Sequence, residues 1–299
     1  MPTSRQIEYF VAVAEHGSIS RASAELHVSQ PALSVQLIAL EKELGTRLFE
    51  RLPHGVRLTS SGRGALVHAR AALTASRRMA HVASDSDGLY TGRVSVATVY
   101  SVSLGVLPRL IRAWRQAMPG VDIDVHEHRH AAELQRSMAQ GEADLAVGPR
   151  PDDWPGPVYP LLTERFVVLL GDAEEPVSTL ADLAAHRWVH YTPANGLSAV
   201  VDRVCADAGF VPRIAVRTEQ TASAVAFAEA GLGPALVPHN VVPQSFRGRI
   251  LEPDPPFIRE LTIYVRQEAD ALVARLVEIA EHGIGPERQA LPTGTDARQ

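Results

Sequence analysis

Apolar residues recur at helical spacing from the start of the chain. Ile7, Phe10, Val11 and Ala14 share one face of a segment that Ser4 can cap and Gly17 ends. Ser18 or Ser20 then opens a shorter helix with Ala22 and Leu26 turned inward. After His27-Val28, Ser29 is an N-cap residue and Pro31 stands in the first turn, where its missing N–H costs nothing. The third helix carries Leu33, Leu37 and Leu40 on one face and ends near Gly45. Leu48-Phe49 and Val56-Arg57-Leu58 flank Pro53-His54-Gly55, as in a short hairpin. From Thr59 to about Ala83 a proline-free helix repeats Leu66, Leu73 and Ala80 every seven residues, with Met79 adding apolar surface. That seam predicts self-association through Leu66, Leu73, Met79 and Ala80, because no neighbouring segment offers an evident partner face.

Beyond a linker at Asp85-Ser86-Asp87-Gly88 the pattern changes to alternating strands and helices. Strands are predicted at Val94–Ala97, Asp122–His126 and Asp144–Val147, with a helix through Leu107, Leu110, Ile111 and Trp114 and another at 131–140. The pattern then restarts. Phe166–Leu170, Trp188–Tyr191, Ile214–Val216, Ala235–Val237 and Leu261–Val265 read as strands, with helices near 179–185, 196–208 and 221–230 and a last one at 269–282. Two successive β/α units predict two similar lobes, each a parallel-type sheet covered by helices. The tail 284–299 is expected to be disordered.

Composition sharpens this division. The net charge of −5 averages a basic front on an acidic body: residues 1–82 carry ten Arg/Lys against six Asp/Glu, and the remainder nineteen against twenty-eight. Only the front is suited to meet a polyanion. A single cysteine, Cys205, excludes an internal disulfide framework, a cysteine-based zinc site and an intrachain two-cysteine redox switch; it reads as packing. The start of the chain has no basic-then-apolar leader, and no apolar run of about 18 residues appears, which predicts a cytoplasmic protein without a membrane partner.

The helix–turn–helix over 19–38 places Gln30, Ser34 and Val35 on the exposed leading turns of the second helix. Gln pairs bidentately with adenine, Ser is versatile, and an apolar side chain can touch a thymine methyl. The run His27-Val28-Ser29-Gln30-Pro31-Ala32-Leu33-Ser34, with Gln36, Leu40-Glu41, Glu43-Leu44-Gly45, Leu48-Phe49-Glu50-Arg51 and Leu58-Thr59, resembles the DNA-binding domain of LysR-type transcriptional regulators. The likeness extends along the chain except for the tail. It implies a mixed fold: a helix-rich winged helix-turn-helix at 1–58, a linker and dimerisation helix at 59–87, and a two-lobed α/β effector domain at 88–283. That domain is similar to type 2 periplasmic binding proteins, with lobe I at 92–161 and 267–283 and lobe II at 162–266. The resemblance implies DNA contacts from Ser29, Gln30, Pro31, Ser34, Val35 and Gln36, and from Arg51, His54 and Arg57 on the wing. Two positions depart from the family: Val35 stands where a basic residue is frequent, and Ser23 where alanine is.

By the same resemblance a small-molecule effector sits between the lobes, and the protein binds promoter DNA as a dimer or tetramer. Strand ends and helix N-termini converge there and favour anions. The candidates are Thr98, Tyr100, Ser101, Arg129, His130 and Arg150 in the first lobe, and Thr192, Asn195, Gln220, Thr221 and His239 in the second. The arginines favour a small carboxylate. His126, His128 and His130 alternate along one strand face, but no carboxylate or cysteine completes a metal set, and a polar strand edge is the better reading. No cofactor, metal or catalytic residue is assigned. The alternatives are a two-lobed enzyme, which lacks a recognisable nucleophile and base, and a solute-binding protein with an accessory helical domain, which lacks an export signal.

Overall fold

Local caps set the first three helices of the computed structural model, which describes residues 1–84, 91–172, 177–267, 269 and 271–283. Helix α1 (Ser4–His16) is capped by Thr3 rather than Ser4: the Thr3 hydroxyl accepts the Gln6 N–H, and the Gln6 side chain accepts the Thr3 N–H. Ser18 caps α2 (Ile19–Glu25), and Ser29 caps α3 (Gln30–Leu44), which Gly45 closes at φ +67°. Strands β1 (Phe49–Leu52) and β2 (Gly55–Leu58) form an antiparallel hairpin. The turn requires glycine at Gly55: its φ is +111°, and an added Cβ would lie 2.4 Å from the Gly17 carbonyl oxygen.

Tyr9, Phe10, Val13, Ala22, Leu33, Leu37, Leu40 and Leu48 form one buried core, closed by Ala69 of the long helix α4 (Ser60–Ser84). Leu66 and Leu73 pack partly buried against the same core. A neighbouring segment therefore does offer α4 a partner face, and it is α1; the heptad positions first serve the chain's own core. The side chains of Met79 and Ala80, the linker Asp85-Ser86-Asp87-Gly88 and the tail 284–299 lie outside the described residues.

The effector domain begins with β3 (Thr91–Val99), α5 (Tyr100–Gly105), α6 (Leu107–Ala117), β4 (Gly120–His128), α7 (Ala131–Ala139) and β5 (Leu145–Pro149). Where one helix is expected through Leu107, two form, because Pro108 has no N–H to continue the earlier turn. Strand β6 (Val158–Leu170) leads into β7 (Arg187–Tyr191), α8 (Leu197–Asp207), β8 (Arg213–Thr218), α9 (Thr221–Glu229) and β9 (Ala235–Pro238). Short β10 (Arg249–Leu251), β11 (Ile258–Tyr264) and α10 (Ala271–Gly283) complete the described chain. The helix expected near 179–185 is a single 3₁₀ turn, Leu180–Leu183.

The strands run in the order β4-β3-β5-β11-β6-β9-β7-β8, with β10 beside β6. Parallel pairing holds within each lobe, but β6 and β11 are antiparallel to their neighbours. They carry the chain out to lobe II and back, so they must run in opposite directions. The return crossing falls earlier than expected: Leu261, Ile263, Tyr264 and Val265 belong to the core of lobe I, so lobe II ends near Glu260 rather than at 266. Each lobe has its own core, one around Trp114, Leu134 and Leu276, the other around Trp188, Val201 and Leu236. The Trp114 indole N–H donates to the Leu276 carbonyl at 2.9 Å, fastening α6 to α10.

Candidate functional site

The helix–turn–helix is held close by a small residue at its centre. Ala22 is fully buried against Leu33, and the turn passes through His27 in the left-handed region. The Ser29 hydroxyl accepts the Ala32 N–H, so this residue is occupied as a cap. Gln30, Pro31, Val35 and Gln36 are exposed and Ser34 is half-buried, which puts all five on the outer side of α3. The wing is pinned to that helix by Glu41, whose carboxylate accepts the N–H groups of Leu48 at 2.7 Å and Phe49 at 3.0 Å. Val56 N–H donates to the Gly17 carbonyl, tying the wing also to the turn after α1.

Along the wing Arg51 and His54 are exposed. Arg57 is exposed too, but it pairs with Glu50 across the hairpin at 2.9 Å. The ion pair pushes the Arg57 guanidinium up and holds the Glu50 carboxyl below its usual range. Arg57 is thus partly neutralised before any phosphate approaches.

A cleft of about 210 Å³ lies between the lobes, bordered by Tyr100, Ser101, Arg129, His130, Asn195 and Arg259. Its two walls touch: Gly196 N–H donates to the Arg129 carbonyl at 3.0 Å, and a Cβ at Gly196 would come within 2.9 Å of the His130 Cβ. His130 Nδ1 accepts the Glu133 N–H and caps α7. Asn195 is buried, donating to the Glu219 carbonyl and accepting the Leu197 N–H at the start of α8.

Arg259, on the returning strand, is a cleft residue that the sequence pattern does not single out. Its Nε donates to Glu164 at 2.9 Å, one Nη donates to the same carboxylate, and that Nη also donates to Ser101 Oγ at 3.2 Å. Glu164 is almost fully buried and accepts a further bond from Asn240 at 2.9 Å. The Arg259 guanidinium also lies 5.1 Å from the centre of the Phe166 ring. This network joins α5 of lobe I, both crossing strands and the turn after β9.

The remaining expected cleft residues lie elsewhere. Thr98 is fully buried, and its hydroxyl donates to the Val147 carbonyl at 2.7 Å. Arg150 pairs with Glu260 at 3.2 Å, outside the cleft lining. Thr192, Gln220, Thr221 and His239 stand at strand ends of lobe II without lining it; the buried Thr192 hydroxyl has no hydrogen-bond partner among the described residues. Cys205 is buried, and burial pushes its thiol up to about 12, which keeps it protonated and unreactive.

A winged helix pair with a solvent-exposed outer face, joined by a long helix to a two-lobed domain whose cleft is bordered by two arginines, defines a DNA-binding protein with a ligand-binding module. Residues 4–63 match the bacterial regulatory helix-turn-helix family of lysR type, and residues 87–283 match the LysR substrate binding domain. The chain belongs to the LysR family of transcription regulators.

The HTH-type transcriptional regulator IlvR of Caulobacter vibrioides is 31% identical over 294 residues, covering 95% of this chain and 99% of that protein. The SDS degradation transcriptional activation protein of a Pseudomonas species is 36% identical over 200 residues, 61% of this chain and 62% of that one. Among solved structures, the LysR family regulator CbnR complexed with its target DNA superposes with a TM-score of 0.67 at 25% identity, covering 94% of this chain and 99% of that chain. A full-length OxyR variant from Pseudomonas aeruginosa shares the fold, with a TM-score of 0.73 at 22% identity and 94% of both chains covered. Among the described residues no helix is long and apolar enough to cross a membrane.

Proposed function

We propose that this regulator couples a small carboxylate, held between the lobes, to promoter DNA held by the N-terminal module. The observation that carries the ligand class is the pair of arginines bordering the cleft. Arg259 is balanced by Glu164, whereas the exposed Arg129 makes no ion pair with a described residue, so one cation is left for an incoming anion. The cavity is smaller than the roughly 300–1,000 Å³ of drug-sized sites, which suits an acid of few carbons. Such a ligand acts on DNA only by preferring one arrangement of the lobes.

On the DNA side, Gln30, Pro31, Ser34, Val35 and Gln36 are assigned to the major groove, and Arg51 and His54 to the backbone or minor groove. Ser29 orients α3 as its cap. The protein acts in the cytoplasm as a dimer or tetramer, with α4 supplying the contact through surface that α1 leaves open. No residue is assigned a catalytic role.

A thermal-shift screen tests the ligand class. Small carboxylates are compared with their neutral amides on the full-length protein. A binder at about a hundred times its Kd stabilises the fold by about 2.7 kcal/mol, a shift of several degrees. Arg129→Ala is expected to remove the carboxylate's effect without lowering the melting temperature of the free protein. Equal shifts from acids and amides, or an undiminished shift in Arg129→Ala, would overturn the assignment.

A further inference from the structure

The outer face of α3 carries an apolar stripe. Val35 and Ile38 are 62% and 58% exposed, and Pro31, Ala32 and Ala39 are exposed beside them. The spacing 31, 35, 38 and 32, 35, 39 places these residues on one side of the helix over two turns. The opposite side is spent on the core through Leu33, Leu37 and Leu40. From Gln30 to Ala39 the helix has no charged side chain; the first is Glu41.

Cations border the stripe. Lys42, Arg47 and Arg51 line the groove between α3 and the wing, together with Ser34 and Ile38. The acidic residues nearby are engaged: Glu41 with the Leu48 and Phe49 N–H groups, Glu43 with the chain's amino terminus, and Glu50 with Arg57. An apolar centre with a basic rim fits the major groove of B-form DNA, whose walls are phosphates and whose floor presents thymine 5-methyl groups. A protein partner's apolar groove would satisfy the stripe but not the rim.

We propose that Val35 reads a thymine through its 5-methyl group, so that one base pair of each half-site is selected by apolar contact rather than by hydrogen bonding. Val35 stands at the centre of the stripe with its branched methyls projecting, flanked by the polar Ser34 and Gln36. The proposal rests on the reading of α3 as the base-reading helix. It adds a chemistry for one position: loss of a methyl group from the DNA costs binding even though every hydrogen-bonding group of the base remains.

The test starts by selecting duplexes from a random pool with the full-length protein. Each thymine of the selected site is then replaced in turn by deoxyuridine, and affinity is measured by fluorescence anisotropy at fixed salt. Burying one methyl group is worth about fourfold in affinity. Wild-type protein is expected to lose about three- to fivefold at one thymine per half-site. Val35→Ala is expected to bind the thymine duplex more weakly and to show no further loss with deoxyuridine there. Because Val35 is exposed, the variant should melt with the wild type.

Wild-type insensitivity to every deoxyuridine overturns the proposal, and so does a full deoxyuridine penalty retained by Val35→Ala. A change in oligomeric state on gel filtration, with DNA affinity untouched, assigns the stripe to a protein interface and also overturns it. If the pool yields no enriched sequence, the reading of α3 itself falls; an enriched site without methyl dependence defeats the Val35 proposal alone.

Discussion

His128 shows how burial of one side chain ties folding to pH. Its Nε2 is buried without a hydrogen-bond partner among the described residues. Burial lowers its pKa below 6.5, opposed by Glu142 and Glu133 and assisted by His126 and His130. The folded state therefore favours neutral imidazole, while the unfolded chain takes up a proton near pH 6.5. Stability from this residue is full above that pH and is lost as the pH falls through the window below it, down to the folded value. His128→Gln should flatten the melting temperature between pH 7 and pH 5; an unchanged profile assigns the acid sensitivity elsewhere. Residue roles of local origin are legible in the sequence, as at Ser18, Ser29 and Gly45, where the cap acts on its own next turn. Arg259 is not, because its partner Glu164 lies 95 positions earlier. Thr98 reads as cleft-facing, but a strand turns successive side chains to opposite faces, and this one points into the sheet toward Val147.

At the scale of elements, the wing and α3 behave as one piece because Glu41 satisfies two N–H groups at the base of the hairpin. Glu41→Ala removes the one carboxylate oxygen that accepts both bonds and should cost about 1–3 kcal/mol. Hydrogen exchange at Leu48 and Phe49 should accelerate, and affinity should fall by a similar factor for every DNA sequence, since the wing loses its position while α3 keeps its side chains. Unchanged exchange at those amides would show the wing to be held without Glu41. The helices and hairpin of this module can be read from spacing and caps. The short β10 cannot: three residues carry too little pattern, and the strand exists because β6 offers an edge. The partner face of α4 is hidden for a related reason, since its match on α1 lies in another stretch of the chain.

At the scale of the whole molecule, the charge asymmetry makes DNA affinity a matter of a few front-facing cations on an otherwise acidic protein. Arg51 is exposed, whereas Arg57 shares its charge with Glu50. Arg51→Ala is expected to reduce the slope of log affinity against log salt by about 1, and Arg57→Ala by less. Titration of both variants from low to physiological salt checks the order; equal slopes would remove the Glu50 pair from the account. The two-lobed plan is visible in the restart of the strand pattern, but the direction of the crossing strands is not, because pairing sense leaves no mark on hydrophobic order. That crossing has a consequence for synthesis. The chain from Phe166 to Phe257 is continuous and can close as lobe II while the ribosome still holds the C-terminal segment, whereas lobe I waits for Leu261–Tyr264 and α10. A stop codon after Phe257 would leave the DNA-binding module and the apolar core of lobe II, but Glu164 without Arg259 and β5 an open edge on an unfinished core, a target for proteolysis and a template for aggregation.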